Sequence, residues 1–172
     1  MTLVFKRSDL AKDFITGNQN TVGLRVPNQS IALALLKEFQ ALGGKGIAAP
    51  SANRFGAVSP TTAQAVKDEL ENYLDQSKDI ILDGGPCQVG VESTIIDCTS
   101  QTPQILRLGA ITKEMIQEST GLLVIDEAQT DIRVSGSLES HYSPSATVVL
   151  DIYPQSGEGF IAIDSIQTPP SS

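Results

Sequence analysis

Apolar residues recur along this chain in short runs, separated by polar stretches that carry most of the glycine and proline. Six runs rich in branched side chains, Thr2–Lys6, Thr21–Val26, Gly46–Ala49, Ile80–Leu82, Thr94–Asp97 and Gln104–Leu108, each have the length of a strand. Between them, Ser30–Leu42 places Ile31, Leu33, Ala34, Leu35, Leu36, Phe39 and Leu42 at helical intervals, with Ser30 as the expected N-cap. A second helix is expected from Ser59-Pro60, a capping side chain followed by proline at the first helical position, with Ala63, Val66, Leu70 and Leu74 on its apolar face. A third follows Thr112. Strands and helices that alternate without segregation predict an α/β fold, a twisted mixed sheet with flanking helices.

Beyond residue 125 the periodicity fades. Residues 126–145, with Gly136, His141 and Pro144, have linker composition, and residues 146–172 hold two more strand-like runs, Thr147–Ile152 and Gly159–Asp164. Two strands alone are marginal in water, so these read as the start of a small second α/β domain. The organisation expected is a catalytic domain over 1–125, a linker over 126–145 and the opening of a C-terminal domain.

Composition narrows the field. The chain has 172 residues, 40% of them hydrophobic and 19% charged, enough to bury a core. No apolar run approaches a membrane span and the Met1-Thr-Leu-Val-Phe start lacks the regions of a signal peptide, which together predict a cytoplasmic protein without membrane contact. A formal charge of -8 opposes strong binding to nucleic acid, because that affinity rests on Lys and Arg displacing counterions. Cys87 and Cys98 form no CxxC pair and read as buried reduced thiols.

Several residues could carry chemistry. Alternation sets Thr21, Gly23 and Arg25 on one strand face against Val22, Leu24 and Val26 on the other. Arg25 then reads either as a surface ion pair or as a planar clamp for a carboxylate or phosphate. The loop from Ala48 to Pro60 is small and polar, and the hydroxyls of Ser51 and Ser59 near a helix start would stabilise negative charge unless Ser59 only caps. Gly84, Gly85 and Gly90 precede Ser93 and Thr94 at the mouth of a strand, but match neither a P-loop nor a dinucleotide fingerprint. Arg107, flanked by Leu106 and Leu108, is a second candidate anion contact. His141 lacks neighbours at metal-ligand spacing and reads as solvent-exposed. No nucleophile triad or acid/base pair is evident, so positioning and charge stabilisation are the mechanism to expect.

Taken together, TVGLRVP, IAAPSANRFGAVSPTT, ILDGGPCQVGVESTIID and ILRLGAIT, in this order, resemble the YrdC-like family over roughly residues 2–125, and SGSLESHYSP resembles the linker of its two-domain members. The resemblance implies an L-threonylcarbamoyladenylate synthase. Such an enzyme makes threonylcarbamoyl-AMP and pyrophosphate from L-threonine, bicarbonate and ATP, with Mg2+ accompanying the nucleotide. A downstream transferase complex then passes the threonylcarbamoyl group to tRNA. By motif, Arg25, Ala49 and Ser93 would contact threonine, and Thr21, Ser51, Asn53, Ser59, Arg107 and Tyr142 would contact ATP.

The chain also departs from that pattern. The strand, helix and Lys-x-Arg motif with which family members begin are not found, and Lys6-Arg7-Ser8 does not replace them. The expectation is therefore a polypeptide truncated at its N-terminus and within its C-terminal domain, with exposed apolar sheet surface and weak or no synthase activity alone. Two other readings are a non-catalytic nucleotide- or RNA-binding remnant and the carbamoyl-adenylate-forming module of hydrogenase maturation.

Overall fold

A computed structural model of the chain describes residues 1–126, 130–136, 147–150, 152, 153, 155, 157–159 and 161. The chain divides into two compact units, Met1–Tyr142 and Ser143–Ser172. In the first, strands β1 (Thr2–Lys6), β2 (Thr21–Leu24), β3 (Ile95–Asp97) and β4 (Gln104–Arg107) form a sheet of order β2-β1-β3-β4. Its pairings are antiparallel between β1 and β2, parallel between β1 and β3, and antiparallel between β3 and β4, so the sheet is mixed as the sequence predicts. Helices α1 (Asp13–Thr16), α2 (Ser30–Ala41), α3 (Ala63–Leu70) and α4 (Lys113–Thr120) flank it. None of the helices among the described residues is long and apolar enough to cross a membrane.

The register assigns the faces. Leu3, Leu24, Ile96 and Ile105 occupy neighbouring positions across the sheet, and Ile96 and Ile105 pack with Ile116 of α4 and Val124 into the core, joined by Leu3, Cys98 and Ile111. α4 is held at both ends: the Thr112 hydroxyl caps it by accepting from the Met115 N–H at 3.3 Å, and Gly121 ends it in the left-handed region at φ 70°. Thr94 is buried at the start of β3, and its hydroxyl donates to the Ile111 carbonyl at 2.7 Å, fastening the strand to the loop that leads into α4.

Other expectations are corrected. Gly46–Ala49 and Ile80–Leu82 form no strand, because no neighbouring backbone pairs with them; a short apolar run becomes a strand only through a partner. Ser30 is not the cap of α2. Gln29 caps it, its side-chain oxygen accepting from the Ala32 N–H at 2.7 Å while its amide nitrogen donates to the Gly84 carbonyl at 3.3 Å. Ser59-Pro60 does not open α3, which starts at Ala63 behind the cap Thr62, whose hydroxyl accepts from the Ala65 N–H. Cys87 is exposed; only Cys98 is partly buried, and burial pushes its thiol up. In the second unit, residues 147–150 carry no strand. The rest of the two strands expected there lies wholly or partly outside the described residues, as do His141 and Tyr142.

Candidate functional site

Strand directions gather several expected residues at one end of the sheet. Thr2 pairs with Ile95, Ile95 pairs with Arg107, and Arg25 follows Leu24, the last residue of β2, which pairs with Leu3 beside Thr2. Arg107, Ile95 and Thr2 therefore form a row at one end of β4, β3 and β1, with Ile95 itself buried, and Arg25 directly follows β2 at the same end of the sheet. Arg25 is exposed, and its charge adds to burial in lowering the pKa of the neighbouring Met1 amino group. Thr21 belongs to the same strand but pairs with Lys6 at the opposite end, so the sheet does not bring it to this row.

Around Arg107 the contacts are dense. Its Nε–H donates to the Ser93 carbonyl at 3.0 Å; Nη2 donates to the same carbonyl at 2.8 Å and to the Ser93 hydroxyl oxygen at 3.3 Å. Nη2 also faces Glu92 Oε2 at 3.2 Å, and Nη1 donates to the Ser135 carbonyl at 2.8 Å. The Ser59 hydroxyl donates to Glu92 Oε1 at 3.0 Å. Ser59, Ser93 and Arg107 are thus joined, and the joint is Glu92, which sequence reasoning passed over. A carboxylate amid hydroxyls and glycines looked like solvated surface; the one clue was its place directly before Ser93 in the strand mouth.

A close backbone approach fixes this arrangement. A Cβ on Gly109 would stand 2.4 Å from both the Glu92 carbonyl oxygen and the Thr94 nitrogen, so only glycine lets the exit of β4 press against residues 92–94. The opposite flank is tied by residues 130–136: the Gln19 side chain accepts from the Arg133 N–H at 2.7 Å and donates to its carbonyl at 3.1 Å, while Arg133 reaches the Gly17 carbonyl at 2.8 Å.

The remaining expected residues behave differently. Ala49 and Ser51 are exposed, and no hydrogen bond among the described residues links them to the Glu92 cluster. Asn53 organises its own loop, its amide nitrogen donating to the carbonyls of Arg54 at 2.9 Å and Ala57 at 3.0 Å, with its side-chain oxygen buried. Arg54 closes the loop onto α3 through Glu69 at 2.7 Å, and this pairing lowers the Glu69 carboxyl below its usual range. Arg7 turns back onto the Ala11 carbonyl and Asp13, so Lys6-Arg7-Ser8 offers no outward phosphate clamp. Two cavities, of about 410 Å³ beside Phe39 and about 730 Å³ beside Arg7 and Phe14, lie away from the row. Within the row Ile95 is buried, Thr2 and Arg107 are half-buried and Arg25 is exposed, so the case for this end of the sheet rests on its side-chain chemistry. No group of three His, Cys, Asp or Glu among the described residues could hold a metal, and Glu92 is already engaged by Arg107 and Ser59.

Comparison with known proteins completes the picture. Residues 1–109 match the Sua5, YciO and YrdC family, described as telomere recombination. Threonylcarbamoyl-AMP synthase of Bacillus subtilis (strain 168) is 36% identical over 155 residues, covering 87% of this chain and 42% of that protein. The protein of the same name from Pyrococcus abyssi (strain GE5 / Orsay) is also 36% identical over 155 residues, covering 87% of this chain and 43% of its own length. The crystal structure of P. abyssi Sua5 complexed with L-threonine superposes with a TM-score of 0.63 at 38% identity, over 73% of this chain and 34% of that one. The chain spans about two-fifths of the curated relatives it matches. With matching motifs, a matching mixed sheet and a family match over more than half its residues, this chain belongs to the Sua5, YciO and YrdC family.

Proposed function

We propose that this chain carries part of the site of an L-threonylcarbamoyladenylate synthase that works in the cytoplasm and feeds tRNA modification. The observation that supports the reading best is that exposed Arg25, which follows β2, and the Ser93–Arg107 pair lie at the same end of the sheet. The Ser93 hydroxyl oxygen accepts from Arg107, which leaves its own proton to donate outward. An exposed guanidinium fork and an outward hydroxyl suit the carboxylate of an amino acid, and the solved relative is complexed with L-threonine.

In the reaction, threonine nitrogen and bicarbonate first form a carbamate, releasing water. A carbamate oxygen then attacks the α-phosphorus of ATP, forming the mixed anhydride as the bond to the β-phosphate breaks and pyrophosphate leaves. The chain's part is to hold the carboxylate and the nucleotide so that these atoms meet in line, with cationic and backbone donors facing the developing charge. Mg2+ is carried by the nucleotide phosphates as part of the substrate. Binding without turnover is the second reading, favoured by Arg7 and Arg54 both being engaged within the domain.

Calorimetry with L-threonine tests the reading. Arg25→Ala should weaken binding about tenfold or more, since a charge-assisted pair contributes roughly 1.5–3 kcal/mol. Pyrophosphate release from ATP should be slow and should need both threonine and bicarbonate. Equal affinity in the two proteins, or release indifferent to threonine, would contradict the proposal.

A further inference from the structure

The glycine-rich segment 83–92 leads into Ser93, and packing does little to hold it. It forms no helix or strand, and its two valines are exposed, Val89 by 51% and Val91 by 65%. Hydrogen bonds hold it instead. Gly85 N–H donates to the Asp83 carboxylate at 2.9 Å, Cys87 N–H donates to the Thr61 carbonyl at 2.8 Å, and the Gly84 carbonyl accepts from the Gln29 side chain at 3.3 Å. The Cys87–Thr61 bond and the Ser59–Glu92 bond tie the segment to the approach to α3. The Gln29 bond ties it to a different place, the connection between β2 and α2 that carries Arg25.

Gln29 is fixed for this contact through both ends of its amide. Its oxygen must face the Ala32 N–H, from which it accepts at 2.7 Å, and this turns the amide NH2 toward Gly84. The approach is close: a Cβ on Gly84 would stand 2.5 Å from Gln29 Nε2. Between Arg25 and Gln29, Pro27 fixes its own φ and keeps Val26 extended, so the connection is stiff. We propose that Gln29 is a positioning residue for the amino-acid site: by holding Gly84 it sets the spacing between the segment that carries Arg25 and the segment that ends in Ser93. Gln29 stands four residues after Arg25 and Gly84 nine before Ser93, so this hydrogen bond joins the two halves of the site. The inference rests on the threonine-binding reading proposed above and adds a residue that need not touch the substrate.

Two substitutions separate the tie from the cap. Gln29→Glu keeps an oxygen for the Ala32 N–H but has no proton to give Gly84, while Gln29→Asn caps well but is one methylene too short to reach both. In calorimetry with the full 172-residue chain, each should weaken L-threonine binding about twofold to tenfold, the range expected for loss of one hydrogen bond. Gln29→Glu should unfold at a similar denaturant concentration, since a carboxylate at a helix start offsets the lost contact. A residue with only a structural role would do the reverse, lowering stability and leaving the affinity of the folded chain unchanged. Unchanged affinity in both variants would overturn this inference alone, and so would a loss confined to Gln29→Glu, which would trace to its charge. No binding of L-threonine by the unaltered chain would defeat the proposed function with it.

Discussion

Helices α4 and α2 both carry apolar residues at helical intervals and differ sharply in burial. Around α4, Ile96, Ile105, Ile116 and Val124 are buried, between 1% and 8% exposed. In α2, by contrast, Ile31, Leu33 and Leu35 are 39–46% exposed, Val26 just before it is 85% exposed, and no residue of the helix is buried. The lesson is that periodicity states which face of an element wants cover, while cover itself depends on what the rest of the polypeptide brings to that face. α4 finds the sheet beneath it. α2 is tied at its cap through Gln29 to Gly84, and none of its residues is fully buried.

This contrast can be broken by substitution. Ile96→Ala should cost about 2–5 kcal/mol in chemical denaturation, as deletion of a buried branched side chain does, whereas Leu35→Ala should cost about 0.5 kcal/mol or less. Equal losses would show that α2 contributes to the core as much as α4. Next in size is Gly109→Ala, where the added methyl meets backbone and must displace it, with an expected loss of about 1–3 kcal/mol. Its mark should be a shift in the amide signals of residues 92–94. Thr112→Ala, which removes the cap of α4, should cost about 1 kcal/mol, while Thr62→Ala, at the less packed α3, should cost less.

The smallest effect is electrostatic. Pairing with Arg54 holds Glu69 below its ordinary value of 4.5, so the folded state binds the proton less readily than the unfolded chain. That contribution is present above about pH 4.5 and fades as pH falls through the lowered value. Since the pair is exposed, stability followed from pH 6 to pH 3 should differ only slightly between the unaltered chain and Arg54→Ala, with any difference confined to the upper part of that range.

The sequence made most of the sheet readable, because branched runs at Thr2–Lys6, Thr94–Asp97 and Gln104–Leu108 each have a partner strand. It misplaced Gly46–Ala49 and Ile80–Leu82 for the complementary reason: strand pattern without a neighbour has nothing to pair with. Helix starts were misjudged where two capping candidates stood close together. Gln29 prevailed over Ser30, its longer side chain also reaching Gly84, and Thr62, whose hydroxyl accepts from the Ala65 N–H, caps α3 in place of Ser59. Among the candidate site residues, motif and alternation point to Arg25, Ser93 and Arg107. They do not point to Glu92, since what distinguishes it is a pair of contacts to segments distant along the chain.

Hydrogen–deuterium exchange with and without L-threonine probes the row of residues at the sheet end most directly. The account predicts slowed exchange at residues 24–26 and 93–95, with residues 5–7 and 19–21 at the far end unchanged. Protection centred on that far end, or none at either, would mean that the row is not where the amino acid binds.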